Sequence, residues 1–363
     1  MAMIDLIGGA LLAALLAALL TPIAIRVAHA TGLLDRPGGW KRQARATPQL
    51  GGVAVLVACT ISATLLGGGD SRLIAILAGA ILLCAVGIVD DFRALRPPPR
   101  LLAEACAGGL LWASDLGWNL TVPWWVNLLL TVLWVIGIVN SFNLIDLMDG
   151  LATSVAAVAL GTVGALALAN HDPAMAALAF ALAGAALGFL PYNTSSPARI
   201  FLGDGGSMSI GFACAALILA VLRSQPEGVS TVIVAPLLFG VPLLDMGFRI
   251  ALRLSTGVTL ITAGPDSLAN RLGELVTTPR AIAGVAAATQ LIVGGIAIAA
   301  LGMTPIRAAL TVATVLAVGL CAAARLQLGS RRAVLHEPET HRYEPDLHRS
   351  GADAAFIEAR SSV

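Results

Sequence analysis

Long apolar runs alternate with short polar loops along most of this sequence, and the alternation stops near residue 326. Most of the runs approach the roughly 20 residues that an α-helix needs to cross a bilayer, and the fourth is clearly shorter. The eleven runs cover residues 4–27, 50–67, 73–89, 101–113, 123–139, 151–169, 174–192, 206–222, 229–248, 281–301 and 305–326. The pattern predicts an all-α polytopic membrane protein with about 10–11 transmembrane helices. Residues 1–326 would form the transmembrane domain and residues 327–363 a flexible, polar cytoplasmic tail.

The composition excludes an ordinary soluble protein. The chain of 363 residues is 58% hydrophobic and 12% charged, with a mean hydropathy of +0.88, whereas soluble domains carry about 25% charged residues. The formal net charge of +1 argues against a nucleic-acid partner. All five cysteines lie inside apolar runs without metal-ligand spacing, which is typical of buried free thiols.

The basic residues predict which side of the membrane each loop faces. If the amino terminus lies outside, only Arg72, Arg223 and Arg307 of the 22 Lys and Arg residues fall at outer ends, which leaves 19 inside or in the tail. Cytoplasmic loops carry the positive excess, so the amino terminus is predicted to lie outside and the carboxyl terminus inside. The cytoplasmic loops then include residues 90–100, 140–152, 193–207 and 245–280.

Five carboxylates converge on this predicted inner face, which favours chemistry at the membrane surface. They are Asp90, Asp91, Asp146, Asp149 and Asp204. A transporter, the first alternative, would be expected to place its ionisable groups near the middle of the membrane. A charge within a bilayer costs about 3 kcal/mol per Asp on insertion scales, so such residues usually mark function.

The central stretch from Asn140 to Ala152 separates two apolar runs and is the most informative part of the chain. Steps of three residues turn by about 60° less than a full helical turn, so Asn143, Asp146 and Asp149 would be successive neighbours on one side of a helix. A simpler explanation is that these residues cap helices at a membrane-surface turn.

Asp90 and Asp91 end the third apolar run. Adjacent carboxylates suit Mg²⁺, which prefers one or two carboxylates together with substrate phosphate oxygens. Alternatively, one of them acts as a base whose pKa is raised by its neighbour. A solvated start of a loop, neutralised by arginines, would also explain the pair.

Two further loops carry features of phosphate binding. Asp204 lies among glycines before the eighth run, and glycines at a helix start let the backbone approach an anion. Asn193 and Arg199 lie upstream and would add a polar contact and a cation. A glycine-rich membrane turn is the alternative. In the first loop, the cluster of Lys41, Arg42 and Arg45 precedes Thr47 and would cradle a pyrophosphate or anchor the loop to anionic lipid.

Together, these stretches resemble the polyprenyl-phosphate N-acetylhexosamine-1-phosphate transferase family. This family includes phospho-N-acetylmuramoyl-pentapeptide transferase and the enzymes that start O-antigen, teichoic-acid and arabinogalactan synthesis. Its first-loop pattern Pro-x-x-Gly-Gly is matched by residues Pro48 to Gly52. Its Asp-Asp motif, often continued by Leu-x-Pro-x-x-Arg, is matched by Asp90, Asp91, Leu95, Pro97 and Arg100.

The resemblance extends to the two later motifs and covers about residues 1–326. The pattern Asn-x-x-Asp-Gly-x-Asp-Gly-Leu-Ala matches from Asn143 to Ala152, except that Leu147 replaces the first Gly. Pro-Ala-x-Ile-Phe-x-Gly-Asp-x-Gly-Ser matches in full from Pro197 to Ser207. The Asn-Ser-Phe-Asn sequence that begins at Asn140 is more similar to the branch that uses simple UDP-N-acetylhexosamines.

One departure from the family lies in the loop after the ninth run. The family usually carries His-x-His-His there, or Asp-His-x-Ser-His-Arg-Leu in one branch. Here the run from Pro265 to Leu272 keeps Asp266, Arg271 and Leu272, while Ser267 and Asn270 replace histidines. The loss of these histidines leaves a second alternative open, namely a non-catalytic relative.

The resemblance implies transfer of a sugar 1-phosphate from a UDP-sugar to a polyprenyl phosphate, with release of UMP, in cell-envelope synthesis. It implies Mg²⁺, or alternatively Mn²⁺, as cofactor and a multi-pass protein of the bacterial plasma membrane with its active site facing the cytoplasm. Membrane lipids are further partners, and a homodimer is left open. The catalytic residues would be Asp90, Asp91 and Asp204, with Asp204 and Asp91 as metal ligands. The substrate-binding residues would be Arg42, Thr47, Arg100, Asn143, Asp146, Asp149, Asn193, Phe201 and Arg271.

Overall fold

The computed structural model of the protein describes residues 3–37, 45–223, 229–259, 264, 266–276 and 278–336. Within these residues the chain is almost entirely helical, with one short two-stranded sheet. The helices are α1 (Met3–Thr31), α2 (Gly51–Gly67), α3 (Ser71–Arg93), α4 (Pro97–Ala113), α5 (Trp124–Ile145), α6 (Leu151–Ala169), α7 (Pro173–Asn193), α8 (Asp204–Leu222), α9 (Val229–Val234), α10 (Gly240–Thr256), α11 (Leu268–Leu272), α12 (Pro279–Leu301) and α13 (Pro305–His336). A 3₁₀ turn, Ala235–Phe239, joins α9 to α10.

This architecture confirms the predicted all-α, polytopic membrane fold. Nine helical segments of the described chain are long and apolar enough to cross a membrane, with α9, the 3₁₀ turn and α10 counted together as one. The other two predicted runs form the shorter helices α2 and α4, each of 17 residues. The orientation of the termini stays a prediction.

The helix α8 forms the centre of the bundle. The apolar part of α8 is completely buried, and it packs against α2, α3, α5 and α6. Apolar residues are distributed evenly around α8. A helix that is hydrophobic on every side is stable only when other helices or lipid surround it. Because Asp204 is the first residue of α8, its carboxylate is held at the end of the most enclosed element of the fold.

Glycines allow the helices around the candidate site to approach each other closely. A Cβ on Gly52 of α2 would collide with the backbone of Gly206 in α8, and a Cβ on Gly87 of α3 would collide with the backbone of Asp204. Small residues at such interfaces let transmembrane helices pack backbone to backbone. These close approaches bring the start of α2, the end of α3 and the start of α8 together, so Gly206, beside Asp204, serves helix packing.

Short backbone ladders fix the loops beside this meeting point. The strand β1 (Leu34–Asp35) pairs antiparallel with β2 (Thr47–Pro48). Phe201 then bridges β2 and α2, because its N–H donates to the Pro48 carbonyl (2.8 Å) and its carbonyl accepts from Gly51 (3.1 Å). The first loop and the segment before α8 are thereby held side by side.

The chain divides into two units, Met1–Leu326 and Gln327–Val363. Residues 327–336 of the second unit belong to α13, and residues 337–363 lie outside the described part of the chain. The flexible polar tail therefore stays a prediction.

Candidate active site

Three helix ends bring the five aspartates together at one end of the bundle. Asp90 and Asp91 lie in the last turn of α3, Asp146 follows the end of α5, and Asp204 begins α8. The negative charge of Asp204 acts on both Asp91 and Asp146, and the charge of Asp149 also acts on Asp146. We call Asp90, Asp91, Asp146, Asp149 and Asp204 the carboxylate cluster.

A continuous chain of polar contacts connects Asp90 to Asp204. Arg100, in the first turn of α4, forms an ion pair with Asp90 (2.7 Å) through Nη1 and donates through Nη2 to Oδ1 of Asn143 (2.8 Å). The amide nitrogen of Asn143 then donates to Asp204 Oδ1 (2.7 Å) and to Ser207 Oγ (3.0 Å). A guanidinium that bridges two groups in this way is also geometrically suited to a phosphate.

Asp90 and Asp91 both support the local backbone as well as facing the site. Asp90 Oδ1 accepts the N–H of Leu95 (2.6 Å), which closes the turn after α3. Both oxygens of Asp91 accept the N–H of Asp204, at 3.2 and 3.1 Å. A carboxylate at this position caps the start of α8 and interacts favourably with the helix dipole. Asp91 therefore positions Asp204 directly.

Asp146 and Asp149 differ from these two residues because no donor of the described part of the chain engages their carboxylates. Both side chains are half-buried, and among the described residues neither accepts a hydrogen bond. Burial raises the pKa of Asp146 to about 8, with further contributions from the charges of Asp204 and Asp149. Burial also raises the pKa of Asp149 to about 6. The turn after α5 thus presents two carboxylates that a cation or a donor group would stabilise.

Asn193 lies next to this turn, and its side-chain amide forms hydrogen bonds with groups of the neighbouring segments. Its Oδ1 accepts from the Gly150 N–H (2.9 Å) and from Thr153 Oγ1 (3.2 Å), while its Nδ2 donates to the Ile200 carbonyl (3.1 Å). The residue is only 2% exposed. The geometry indicates that Asn193 holds the turn after Asp149 in place, whereas its predicted contact with substrate stays untested.

The remaining predicted residues of the first loop and the α8 motif lie in different environments. Thr47 is buried, and its hydroxyl donates to the carbonyl of Arg45 (3.2 Å). The side chain of Phe201 is partly exposed. Arg42 lies outside the described residues.

The loop that departs from the family pattern forms a short helix, α11. Ser267 caps this helix, because its Oγ accepts from the backbone N–H (3.0 Å) and the side-chain amide (2.8 Å) of Asn270. Arg271 lies 3.6 Å from Glu274 as an ion pair. The two residues that replace histidines therefore bond to each other and shape the loop.

Two groups of polar residues near the site were missed in the sequence. Glu104 of α4 is completely buried, and one of its oxygens accepts from the side-chain amide of Asn140 (2.5 Å). Asp245 and Arg249 of α10 form a buried ion pair (2.8 Å). The available signal was the presence of charges inside otherwise apolar helices, which is costly unless the charges are paired.

Comparisons with known proteins match the part of the chain that carries this site. Residues 73–222 match the model of glycosyl transferase family 4, a segment that contains the whole carboxylate cluster. A probable undecaprenyl-phosphate N-acetylglucosaminyl 1-phosphate transferase of Bacillus subtilis is 31% identical over 248 residues, which cover 65% of this chain and 68% of the relative.

Phospho-N-acetylmuramoyl-pentapeptide-transferases are similar over shorter stretches. The protein of a Synechococcus species is 36% identical over 196 residues, which cover 48% of this chain and 54% of the relative. That of Limosilactobacillus fermentum is 30% identical over 202 residues, which cover 50% and 62%. The chain thus spans between half and two thirds of the length of these two relatives.

Proposed function

Since the chain belongs to glycosyl transferase family 4, the polyprenyl-phosphate sugar-1-phosphate transferases, we propose that it moves a sugar 1-phosphate from a UDP-sugar to a polyprenyl phosphate. The sugar is an N-acetylhexosamine, as the name of the Bacillus relative suggests, and the products are UMP and a polyprenyl-diphosphate sugar. Neither alternative raised by the sequence, a transporter or a non-catalytic relative, has a counterpart among the three relatives described above.

The observation that carries this proposal is the contact chain from Asp90 through Arg100 and Asn143 to Asp204. It places one guanidinium beside an excess of carboxylates. Phosphoryl transfer between two anionic partners needs both charges, because cationic groups bind phosphate oxygens and carboxylates hold a metal or orient the nucleophile. A site built for transport would not require this combination at a helix end.

The carboxylate cluster fits a divalent cation on the basis of its charge. Within the described residues, the ion pair of Asp90 with Arg100 is the only one that involves a member of the cluster. No three His, Cys, Asp or Glu side chains of the described chain are grouped as a ready-made cage. This arrangement suits Mg²⁺, which is often held by one or two carboxylates together with substrate phosphates and water.

Asp204 and Asp91 are the proposed ligands, with Mn²⁺ as an alternative ion. Asp204 interacts with the charges of Asp91 and Asp146, so a cation beside it would relieve the repulsion of all three. When bound, the ion would neutralise charge on the transferred phosphoryl group.

The side chains of the protein would bind and align the two substrates. Arg100 would bind the lipid phosphate, and Asp90, which already orients Arg100, would position this phosphate or take its proton. An oxygen of the lipid phosphate attacks the phosphorus that bears the sugar, and the bond from that phosphorus to the bridging oxygen breaks. The bridging oxygen leaves with UMP.

The donor would be held by a second set of residues. Asn143, Asp146 and Asp149 would hold the donor and metal-bound water, Phe201 would stack on uracil, and Arg271 would contact a phosphate. Thr47, Arg42 and Asn193 would complete the pocket as binding or supporting residues.

The decisive experiment measures UMP release by the purified chain in detergent with undecaprenyl phosphate, Mg²⁺ and a panel of UDP-sugars. We expect turnover with a UDP-N-acetylhexosamine and none after addition of EDTA. Asp204→Asn serves as the inactive control. If wild-type protein that retains its fold releases no UMP with any donor of the panel, the proposed function is wrong.

The proposed cytoplasmic location of the site has its own test. Reporter fusions after Leu95 and Ser267 should report the cytoplasm, and a fusion after Glu227 should report the opposite side, because the basic residues follow the positive-inside rule. A cytoplasmic signal at Glu227 would contradict this orientation.

A further inference from the structure

Three charged side chains lie one above the other in α10. Asp245, Arg249 and Arg253 follow each other at intervals of four residues, so they share one face of the helix. Their exposed fractions are 3%, 3% and 5%. Charges this deeply buried persist only where partners compensate them.

Each of these side chains has a partner in the segment that leads into α11. Asp245 Oδ1 accepts the N–H of Leu268 (2.7 Å), and Arg253 pairs with Asp266 through Nε (2.5 Å) and Nη2 (3.0 Å). Arg249 lies between them, with Nε on Asp245 (2.8 Å) and Nη1 near Asp266 (3.9 Å). We call Asp245, Arg249, Arg253 and Asp266 the α10 ion-pair network.

Arg249 also reaches the end of α5, next to the carboxylate cluster. Its Nη2 donates to the carbonyl of Leu144 (2.9 Å), two residues before Asp146. The last carbonyls of a helix lack partners within the helix, and a cation there also interacts favourably with the helix dipole. Arg249 therefore caps the end of α5, from which Asp146 and Asp149 extend.

The guanidinium of Arg249 thus contacts the end of α5 and, through its partners in the network, holds the segment from Asp266 to Leu272. With 4% of its side chain exposed, Arg249 is too enclosed to touch a substrate. Its influence must pass through the two segments that it joins. We propose that Arg249 is a positioning residue, which couples the segment Asp266–Leu272 to the end of α5 and thereby sets the affinity for the UDP-sugar.

This inference rests on the proposed function for the identity of the ligand. The donor is the substrate affected, because three of the residues assigned to it, Asp146, Asp149 and Arg271, lie on the coupled segments or directly beside them. The lipid phosphate is assigned to Arg100 and Asp90, which Arg249 does not contact. Loss of the coupling should therefore change the two Michaelis constants unequally.

The kinetic test compares Arg249→Gln with Arg249→Lys and a matched control. We expect Arg249→Gln to raise the KM for UDP-N-acetylglucosamine about tenfold and that for undecaprenyl phosphate less than about twofold, as for loss of a charge-assisted hydrogen bond. Arg249→Lys should recover part of the loss, since an ammonium keeps the charge but cannot reproduce the planar fork. Equal changes in both constants would overturn the proposal.

Arg72 offers the control, because it also bridges two aspartates. It pairs with Asp70 (2.8 Å) and Asp172 (2.6 Å) near the start of α3. Asp90 lies 18 residues further along the same helix, about 27 Å away at 1.5 Å per residue. Arg72→Gln should leave both Michaelis constants at wild-type values, and a donor defect equal to that of Arg249→Gln would count against a specific coupling.

Hydrogen–deuterium exchange supplies a readout that does not depend on turnover. In Arg249→Gln, amides 146–150 and 266–272 should both exchange faster, whereas Arg253→Gln should affect 266–272 alone. Unchanged exchange at 146–150 would overturn the coupling, and if Arg249→Gln cannot be purified, Arg249→Lys is held to the same criterion. A wild-type chain that turns over no UDP-sugar would refute the proposed function, while the exchange data would still decide the coupling.

Discussion

The carboxylate cluster and the α10 ion-pair network both contain aspartates that are buried or half-buried, but they differ in charge balance. In the network, two carboxylates are matched by two guanidinium groups. Arg249 pairs with Asp245 and lies near Asp266, and Arg253 pairs with Asp266. In the cluster, five carboxylates are matched by the single ion pair of Arg100 within the described residues. The balanced group satisfies its charges within the protein, whereas we propose that the unbalanced group is completed by a cation.

The protonation of aspartates outside the membrane spans follows the same division. Burial alone would raise the pKa of Asp266, but the guanidinium of Arg253 and its hydrogen bonds lower it below the usual range. Asp146 has no such partner among the described residues, and its pKa rises to about 8. The arginine partner of Asp266 thus favours its ionised form, whereas burial favours the protonated form of Asp146.

The largest effect is expected in catalysis when charge is removed from the unbalanced group. Asp204→Asn should reduce kcat/KM for UMP release by about 10³-fold or more, the scale for loss of a charge-stabilising group. The variant keeps the shape of the side chain, and Asp91 can still cap α8. Near-normal turnover at saturating Mg²⁺ would remove Asp204 from the proposed metal site.

The corresponding substitution in the balanced group should affect stability instead. Asp245→Asn leaves Arg249 buried without its closest carboxylate. Because removal of one partner of a buried ion pair is strongly destabilising, the free energy of unfolding should fall by roughly 3 kcal/mol. Thermal or denaturant unfolding in detergent would measure this loss, with Asp204→Asn as the matched control. If both variants are destabilised equally, the contrast between the two groups is wrong.

A third prediction concerns pH, and it sharpens the contrast within the cluster. Burial raises the pKa of Asp146 from its ordinary value of 3.8 to about 8. The folded chain therefore binds a proton that the unfolded chain has lost between these pH values, so folding stability should fall as pH rises from 4 to about 8.

Asp146→Asn should remove this part of the pH dependence. Melting temperatures of the metal-free wild type and variant, measured from pH 5 to pH 9, should diverge in favour of the variant as pH rises. Added Mg²⁺ should stabilise the wild type more than the variant. Parallel pH profiles for the two proteins would show that another group dominates.

The positions of the helices and the convergence of the aspartates at one end of the bundle were predictable from sequence. Both follow from the alternation of apolar runs and polar loops along the chain. Every apolar run overlaps a helix of the structure, and the loops that carry Asp90, Asp146 and Asp204 alternate with these runs as the topology requires. Which side chain faces which helix depends on packing between distant segments. The hydrogen bonds of Asn193 to Gly150 and Ile200 therefore could not be inferred, and its assignment to substrate came from the loop alone.

The glycines show the same limit. The sequence around Asp204 suggested a cradle for phosphate, and a glycine-rich helix start is compatible with that use. In the structure, Gly52 and Gly206 face each other, so their first role is to let α2 and α8 touch. Arg249 was also missed, since an arginine in an apolar run does not reveal that it reaches the Leu144 carbonyl, 105 residues away in sequence.

The smallest expected effect concerns α11, whose first residue, Leu268, is held by Asp245 of the α10 ion-pair network and which carries Arg271, a proposed contact of the donor. Ser267 caps the helix through Asn270, so Ser267→Ala should cost about 1 kcal/mol of local stability, the usual value for an N-cap. Arg271→Ala should instead weaken a proposed contact with the donor phosphate and reduce kcat/KM by an equivalent of roughly 1–3 kcal/mol.

The comparison requires kcat/KM for both variants with the same UDP-sugar, and its result depends on which role α11 has. A greater loss in Arg271→Ala than in Ser267→Ala would support a segment that the α10 ion-pair network holds against the donor. The segment Ser267–Asn270 should itself add no pH dependence of the rate around pH 6.5, because Ser267 and Asn270 stand where a histidine would titrate. If Arg271→Ala equals the wild type while Ser267→Ala is impaired, α11 acts only through its fold, and the donor phosphate must find its cation elsewhere.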